Sequence, residues 1–325
     1  MMPTSPPPLI GQSPAFQAAL AHVSRVAPLE RPVLVIGERG TGKELIAARL
    51  HYLSRRWDRP FVKVNCAALP ETLLDSELFG HEAGAFTGAT RRHTGRVEQA
   101  DGGTLFLDEL ATSSAAVQEK LLRAVEYGEI ERVGGRTQTV DVRVVGATNA
   151  DLPALAEAGR FRADLLDRLA FDVVLLPPLR ARPEDIPVLA EHFALGMVRE
   201  LGRTLFPGFT PRALDDLRGH GWPGNVRELR NAVERSVAAA DPDAPVDVLV
   251  LDPFRPAWRP PPPVPAADPP EDPGGPFLER VRAFETTMLK AALERNRFNQ
   301  RRTADDLGLT YHQLRGYLRK YGLVG

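Results

Sequence analysis

The segment Gly-Glu-Arg-Gly-Thr-Gly-Lys-Glu, residues 37–44, combines glycine spacing with a lysine in a way that suits the phosphates of a nucleotide. Its glycines let the backbone curl so that N–H groups face an anion, and the lysine adds a positive charge. We therefore predict that Lys43 contacts the β- and γ-phosphates. The hydroxyl residue that usually follows this lysine is replaced by Glu44, so Mg²⁺ must be held by other groups. The predicted nucleotide-binding residues of this loop are Gly37, Glu38, Arg39, Gly40, Thr41, Gly42, Lys43 and Glu44.

Two carboxylates, Asp108 and Glu109, end an apolar run further along the chain. In open α/β sheets, ligands bind at the carboxyl ends of the strands, where this pair would lie. Asp108 is predicted to hold Mg²⁺, mostly through water, and Glu109 to polarise the attacking water. An acidic helix N-cap would explain one carboxylate but not its pairing with a phosphate loop. The nucleotide-binding segment predicted here comprises Ala100, Asp101, Gly102, Gly103, Thr104, Leu105, Phe106, Leu107, Asp108 and Glu109.

The elements around these motifs are short β-branched runs that alternate with helical patterns. A helix over 44–54 follows the phosphate loop, and 182–240 is helical throughout, which predicts a small helical subdomain. Strand–helix alternation indicates parallel strands covered by crossover helices, an α/β fold. The predicted strands are 33–36, 61–65, 104–108, 142–147 and 171–176.

The C-terminal part of the chain differs in charge from the rest. The 325 residues carry 41 basic and 42 acidic side chains, yet 277–325 holds ten basic and five acidic ones. This tail follows 252–276, where 11 of 25 residues are proline and an extended linker is predicted. We place a nucleotide-binding domain at 9–240 (α/β core 9–180, helical subdomain 181–240), the linker at 241–276 and the C-terminal domain at 277–325.

The tail itself has the pattern of a helix-turn-helix. Helices are predicted at 277–295, 299–307 and 311–321, with a Gly308-Leu309 turn and Thr310 as the last N-cap. A solvated charged hairpin is the alternative, but it leaves the excess of positive charge unexplained. The predicted DNA contacts are Arg301, Arg302, Thr310, Tyr311, His312, Arg315, Arg319 and Lys320.

Composition excludes several classes of protein. The single cysteine, Cys66, excludes an internal disulfide framework and fits a reducing compartment. No apolar run approaches the roughly 18 residues that a membrane-spanning helix needs. We therefore expect a cytoplasmic protein without membrane insertion.

A six-residue run, Gly-Ala-Phe-Thr-Gly-Ala at 84–89, carries a family resemblance. Taken alone it is a glycine-punctuated turn with Phe86 in the core. It nevertheless resembles the signature loop of the bacterial enhancer-binding proteins, the AAA+ ATPases that activate sigma-54 RNA polymerase. The Gly-Lys-Glu ending at 42–44 and Trp-Pro-Gly-Asn at 222–225 are also typical of that family, and the similarity extends from about residue 9 to 325. The sigma-54 contacts that the resemblance implies are Gly84, Ala85, Phe86, Thr87, Gly88 and Ala89.

The resemblance implies an AAA+ P-loop ATPase with a helical lid, which binds ATP and Mg²⁺ and forms a homo-hexamer on activation. Its partners would be the sigma-54 RNA polymerase holoenzyme and upstream activating DNA. Two other classes, a regulator with an inactive ATPase fold and an AAA+ unfoldase, fit less well. The intact Lys43, Asp108 and Glu109 argue against the first, and the helix-turn-helix tail argues against the second.

Roles for individual residues also follow from the resemblance. Asn65 matches the switch asparagine that holds Glu109, although a turn-forming asparagine is an open alternative. Arg162 and Arg168 match the arginine fingers, but residues six apart on one helix point 240° apart, and at least one could pair with Asp164 or Asp167. The residues that match the first and second nucleotide sensors are Thr148 and Asn149, and Arg227, respectively.

Several stretches resemble the phage shock branch of this family. About ten residues precede the predicted ATPase domain, so we expect regulation in trans. The resemblance implies a negative regulator of the phage shock protein A type. Trp57, which follows Arg55 and Arg56, is predicted to be its contact on the surface; the alternative is that Trp57 caps the core.

Overall fold

The computed structural model describes residues 8–86, 89–254, 276–296 and 298–323, which divide into compact units on either side of residue 253. The strands are β1 (Val33–Ile36), β2 (Phe61–Asn65), β3 (Gly80–His81), β4 (His93–Thr94), β5 (Thr104–Asp108), β6 (Glu129–Glu131), β7 (Thr137–Thr139), β8 (Arg143–Thr148) and β9 (Asp172–Leu175). The helices are α1 (Pro14–Val26), α2 (Lys43–Tyr52), α3 (Glu71–Phe79), α4 (Arg96–Gln99), α5 (Ala115–Tyr127), α6 (Leu152–Glu157), α7 (Ala163–Leu169), α8 (Asp185–Glu200), α9 (Pro211–Gly219), α10 (Asn225–Ala239), α11 (Phe277–Arg295), α12 (Gln300–Asp306) and α13 (Tyr311–Lys320). None of the described helices is long and apolar enough to cross a membrane.

The central sheet is parallel, with the strand order β2-β5-β8-β1-β9, and the predicted α/β fold is confirmed. Its strands lie within a residue or two of the predicted bounds. Asn65 pairs in register with Asp108, so the polar ends of β2 and β5 are neighbours. One apolar core on each face covers the sheet, which explains why its strands are β-branched and almost wholly apolar. The functional side chains therefore project from one rigid edge of the sheet.

The lid consists of α8, α9 and α10, packed around the fully buried indole of Trp222. The indole N–H donates to the carbonyl of Leu217 over 2.8 Å, so the buried ring has no unmet polar group. The chain does not leave the lid at 241, where we placed the start of the linker. Val246 is buried, and the N–H of Val250 donates to the Ser236 hydroxyl over 2.8 Å.

The structure thus moves the start of the linker by about a dozen residues, because an apolar segment returns to cover α10. The Arg235 guanidinium fixes this return by donating to the carbonyls of Val250 and Leu251, over 3.0 and 2.9 Å. Residues 255–275 of the predicted linker lie outside the described residues.

The C-terminal unit is a bundle of α11, α12 and α13 around a small core. Leu289, Leu293 and Leu318 lie in that core. Thr310 caps α13 as predicted: its hydroxyl accepts from the N–H of Gln313, whose side chain in turn accepts from the N–H of Thr310. The predicted helix-turn-helix arrangement is confirmed.

Candidate nucleotide site

The phosphate loop connects β1 to α2 in the predicted strand–loop–helix order. Gly40 and Gly42 have φ of +77° and +99°, a backbone conformation that favours glycine. Lys43 opens α2 with a buried side chain, and its ammonium donates to the carbonyls of Gly37 and Glu38, over 3.0 and 3.3 Å. Burial lowers the pKa of Lys43, while the carboxylates of Asp108 and Glu109 act in the opposite direction. The Lys43 ammonium is thus fixed in the loop, where it can contact a phosphate.

A cavity of about 690 Å³ opens between this loop, the edge of the sheet and the lid. Asp108 and Glu109 lie on its floor, and the Asp108 carboxylate accepts from the N–H of Glu109 over 2.9 Å. Glu109 has φ of +51° and ψ of +40°, a left-handed conformation that costs a non-glycine residue roughly 1–2 kcal/mol. The predicted residues that line the cavity are Arg39, Gly40, Gly42, Lys43, Glu44, Asn65, Asp108, Glu109, Asn149 and Arg227.

The segment from Ala100 to Leu107 does not line this cavity, so its inclusion in the predicted site was too broad. Ala100 and Leu105–Leu107 belong to the core. Thr104 begins β5, at the other end of the strand from Asp108. Its hydroxyl lies 3.0 Å from Nδ1 of His51. A strand advances about 3.3 Å per residue, so Thr104 lies about 13 Å from Asp108. The other members of that segment, also outside the cavity lining, are Asp101, Gly102 and Gly103.

Two polar residues at the carboxyl ends of β2 and β8 make local turns. Asn65 Oδ1 accepts from the N–H of Ala67 over 2.9 Å, so the side chain closes a local turn. This turn is the alternative that the sequence allows to a contact with Glu109. Thr148 is fully buried, and its hydroxyl accepts from the N–H of Ala150 over 3.0 Å. Asn65 and Asn149 line the cavity, whereas the Thr148 side chain supports the turn that presents Asn149.

The lid docks directly on the phosphate loop, through residues that the sequence interpretation missed. The N–H of Val226 donates to the carbonyl of Gly40 over 3.1 Å. The Asn225 amide donates to the carbonyl of Arg39 over 3.0 Å and to the Glu38 carboxylate over 3.1 Å. A Cβ at position 40 would lie 2.2 Å from the carbonyl oxygen of Gly224, so this approach requires glycine. These partners lie almost 190 residues apart, and no local pattern connects them.

A second, apolar pocket of about 200 Å³ adjoins the phosphate loop at Thr41 and Gly42. Its walls come from four separate parts of the chain, which explains why no sequence motif marked it. A mostly apolar pocket beside a phosphate loop suits a nucleobase. The apolar residues that line it are Leu9, Ile10, Phe16, Leu45, Ile46, Leu189, Phe193 and Val226.

The oxygen donors at the cavity fit Mg²⁺ bound together with phosphates. Mg²⁺ keeps several waters and takes one or two carboxylates, and Asp108 and Glu109 supply those. Glu44 is engaged elsewhere, with its carboxylate 2.8 Å from the Lys63 ammonium. Within the described ranges, no group of three or more His, Cys, Asp or Glu side chains could hold a metal ion alone. Nucleotide phosphates would therefore have to complete the coordination.

The two predicted arginine fingers do not line the cavity of their own chain. Arg162 is the N-cap of α7, not part of the helix, and forms a two-pronged ion pair with Asp164 at 2.7 and 3.0 Å. Arg168 lies in the last turn of α7 and pairs with Glu126 at 2.5 Å. The pairing of an arginine finger with Asp164, which was the alternative considered from the sequence, is therefore observed for Arg162.

The loop over 82–92, which we call the contact loop, is anchored at its base. The N–H of Glu82 donates to the carbonyl of Val133 over 3.1 Å, and the buried guanidinium of Arg132 lies 2.7 Å from the Glu82 carboxylate. Gly84 N–H donates to the Ala89 carbonyl over 2.7 Å and closes the tip. Phe86 is 45% exposed, so the interpretation that it sits in the core is wrong. Thr87 and Gly88 lie outside the described residues.

Comparison with protein families accounts for almost the entire chain. The sigma-54 interaction domain matches 9–174, the AAA+ ATPase lid domain matches 180–253 and the bacterial regulatory protein Fis family matches 280–321. The chain belongs to the sigma-54-dependent transcriptional activators. The lid match also ends where the observed lid does.

Individual relatives of the activator span it nearly end to end. It is 58% identical over 320 residues to the Psp operon transcriptional activator of Escherichia coli K12, covering 96% of this chain and 97% of that protein. It is 46% identical over 303 residues to the transcriptional regulatory protein ZraR of Salmonella typhimurium, covering 93% and 66% respectively. The solved structure of NtrX from Brucella abortus in complex with ATP superposes with a TM-score of 0.70 at 35% identity, covering 97% of this chain and 70% of that one.

The DNA-binding unit of the activator displays its predicted contacts on the surface. The Arg315 guanidinium lies over the Tyr311 ring at 5.9 Å, and the Lys320 ammonium lies 3.5 Å from the Glu285 carboxylate. The exposed candidates are Arg301, Arg302, Thr310, Tyr311, His312, Arg315, Arg319 and Lys320.

Trp57 lies in the turn between α2 and β2 and is 60% exposed, so the interpretation that it caps the core is wrong. The neighbouring Arg56 anchors this turn, with one guanidinium nitrogen 2.9 Å from the Asp141 carboxylate. The indole is therefore presented on a braced segment.

Proposed function

We propose that this activator hydrolyses ATP and uses the reaction to remodel the closed complex of sigma-54 RNA polymerase, while its C-terminal unit binds upstream DNA. The observation that carries the proposal is the convergence of Lys43, Asp108, Glu109 and Arg227 on one cavity, apart from an exposed Phe86. The cavity supplies the chemistry, and the contact loop supplies the surface for the polymerase.

Each cavity residue has a defined part in this proposal. The loop N–H groups and the Lys43 ammonium bind the phosphates, and Asp108 orients Mg²⁺ with its waters. Glu109 accepts a proton from the attacking water, and Arg227 brings positive charge from the lid. Mg²⁺ bound to ATP would neutralise the charge that develops on the phosphates.

Arg162 and Arg168 act in a neighbouring subunit's site in this proposal, and the activator forms a homo-hexamer. Their position outside their own cavity and their exposure support this role. Mixing Lys43→Ala subunits with Arg168→Ala subunits should then partly restore hydrolysis, because one supplies the finger and the other an intact pocket. A confirmed monomer with concentration-independent specific activity would exclude shared sites.

Nucleotide state reaches the contact loop through Asn65 in this proposal. Its amide lies at the cavity one strand away from Asp108, within reach of a new partner once a γ-phosphate occupies the site. The switch would exchange the present turn with Ala67 for a contact with Glu109.

The regulation that we propose rests on the similarity to the Psp operon activator. The target is a phage shock operon of the envelope stress response, and a cytoplasmic regulator of the phage shock protein A type inhibits the ATPase unit through Trp57. An exposed tryptophan on a braced turn is a suitable anchor for a protein partner.

In vitro transcription tests the function. Purified activator, sigma-54 polymerase and a supercoiled phage shock promoter should give open complexes with ATP and none with a non-hydrolysable analogue. Equal transcription with both nucleotides would exclude a role for hydrolysis. A requirement for upstream DNA at low protein concentration checks the part assigned to the C-terminal unit.

A further inference from the structure

The Glu38 side chain joins the phosphate loop to the lid. Its carboxylate accepts two hydrogen bonds from the Arg180 guanidinium, over 2.5 and 2.8 Å, and one from the Asn225 amide, over 3.1 Å. Arg180 lies in the 3₁₀ turn over 179–181 that enters the lid, and Asn225 is the first residue of α10. We call these three residues the latch.

The latch is connected to the catalytic lysine through one peptide group. The carbonyl of Glu38 accepts from the Lys43 ammonium over 3.3 Å and from the Thr41 hydroxyl over 2.8 Å. A movement of the lid would therefore displace Glu38, whose carbonyl accepts the hydrogen bonds from Lys43 and Thr41.

The lid half of the latch is rigid. Asn225 is fully buried, and its Oδ1 accepts from the N–H of Leu179 over 2.7 Å, so both ends of the amide are committed. Its φ of +52° is left-handed, a conformation that surrounding contacts must hold in place. The Arg180 guanidinium and the Asn225 amide lower the pKa of Glu38 to about 2, so the carboxylate is ionised throughout the neutral range.

We propose that Glu38 is a positioning residue whose pairing with Arg180 and Asn225 keeps the phosphate loop and the lid in the geometry that binds ATP. The inference rests on the proposed function, since it assumes that the cavity takes this nucleotide. Glu38 touches no phosphate in this role; it acts through Lys43 and through the lid that carries Arg227.

A double-mutant cycle tests the latch. Glu38→Gln and Arg180→Gln should each raise the KM for ATP and the Kd of a fluorescent ATP analogue about tenfold, which corresponds to about 1.4 kcal/mol. The double variant should lose less than the sum of the two single variants, because both changes remove the Glu38–Arg180 pair. At saturating ATP, kcat should stay within about twofold, because a uniform binding contribution affects KM alone.

Matched variants separate positioning from general damage. Arg180→Lys keeps the charge but not the forked geometry and should lie between wild type and Arg180→Gln. Arg218→Gln removes an exposed arginine that pairs with Asp215 at 3.6 Å on α9, and should leave KM unchanged. The melting temperatures should stay close to wild type, because exposed ion pairs contribute little to stability.

The outcomes are distinct. Tight ATP binding by wild type with equally tight binding by Arg180→Gln would overturn the latch and leave the proposed function standing. Fully additive losses in the double variant would also overturn it, because Glu38 and Arg180 would then act independently of each other. No ATP binding by wild type would overturn both proposals.

Discussion

The nucleotide cavity and the contact loop hold their side chains in different ways. At the cavity, the buried Lys43 donates to carbonyls of its own loop, and the buried amide of Asn225 binds that loop from 187 residues away. The contact loop is anchored at its base through Glu82 and Arg132, and Phe86 at its tip is 45% exposed, with its ring edge-on to His81 at 4.9 Å. The cavity is organised in advance for a small ligand of fixed shape, whereas the loop leaves much of an apolar ring accessible to a protein partner.

This difference indicates how one chain could carry the proposed ATP hydrolysis and the proposed polymerase contact in separate regions. A preorganised cavity stabilises charge that develops on phosphates without moving its donors at the moment of reaction. The described residues of the contact loop lie outside the cavity lining, so the loop can change position without disturbing that cavity. Variants in the two regions should therefore fail in different assays, and a variant that fails in both would break the distinction.

The largest expected effect lies at the cavity. Lys43→Ala should abolish ATP binding, whereas Glu109→Gln should bind ATP normally and lose about 10²–10⁴-fold in turnover, because only proton transfer is removed. Calorimetric binding and phosphate release measure the two steps separately. Near-normal hydrolysis by Glu109→Gln would remove this residue from the proton-accepting role.

The next effect lies at the contact loop. Phe86→Ala, and Thr87→Ala next to it, should abolish open-complex formation while ATP hydrolysis stays within about twofold, because the exposed tip lies outside the cavity. Phe171→Ala is the matched control, since that ring is 53% exposed on another part of the same unit. Loss of hydrolysis together with preserved activation would instead make the loop an element of the nucleotide site.

A smaller effect is expected at Trp57, which shares the exposure of Phe86. Trp57→Ala should relieve inhibition by a phage shock protein A-type regulator and change the free energy of unfolding by no more than about 0.5 kcal/mol. An inhibition titration and a melting curve on the one variant test both statements. Unchanged inhibition would assign the regulator to another surface.

The smallest effect concerns Cys66, which follows β2 directly and is buried in the core between two residues that line the cavity, Asn65 and Ala67. Burial, with the nearby charges of Asp108 and Glu109, raises the pKa of this thiol from 9.0 to about 12. At pH 8 the folded protein should therefore hold about a thousandfold less thiolate than an exposed cysteine would, and alkylation should be correspondingly slow. Rapid alkylation of the native protein would indicate that the core around Cys66 opens.

The sequence predicted the sheet and the helix-turn-helix because local signals specify both. β-Branched runs marked β1 and β2, and Thr310 marked the start of α13. The docking of the lid was missed because Asn225 and Glu38 meet only in the folded chain. The end of the lid was missed for the same reason, since Val246 becomes apolar core only when it folds back.

The carboxylates at the cavity were predicted by type and spacing, but their conformations were not. Extending the nucleotide-binding segment back to Ala100 assumed that a whole motif faces the ligand, whereas a strand presents only its end. The Asn65 turn shows the same limit, because an amide of one residue type can close a turn or reach a neighbour. The residue type alone does not determine which of these two contacts Asn65 makes.

The left-handed backbone of Glu109 has a consequence for laboratory evolution. Glycine accepts this conformation freely, whereas glutamate carries a penalty of roughly 1–2 kcal/mol, partly offset by the lower entropy of its unfolded chain. At position 109, thermal stability therefore favours glycine, whereas the proposed turnover requires glutamate. A library screened for Tm alone would be enriched in folded chains that retain the phosphate loop and have lost the residue that activates water.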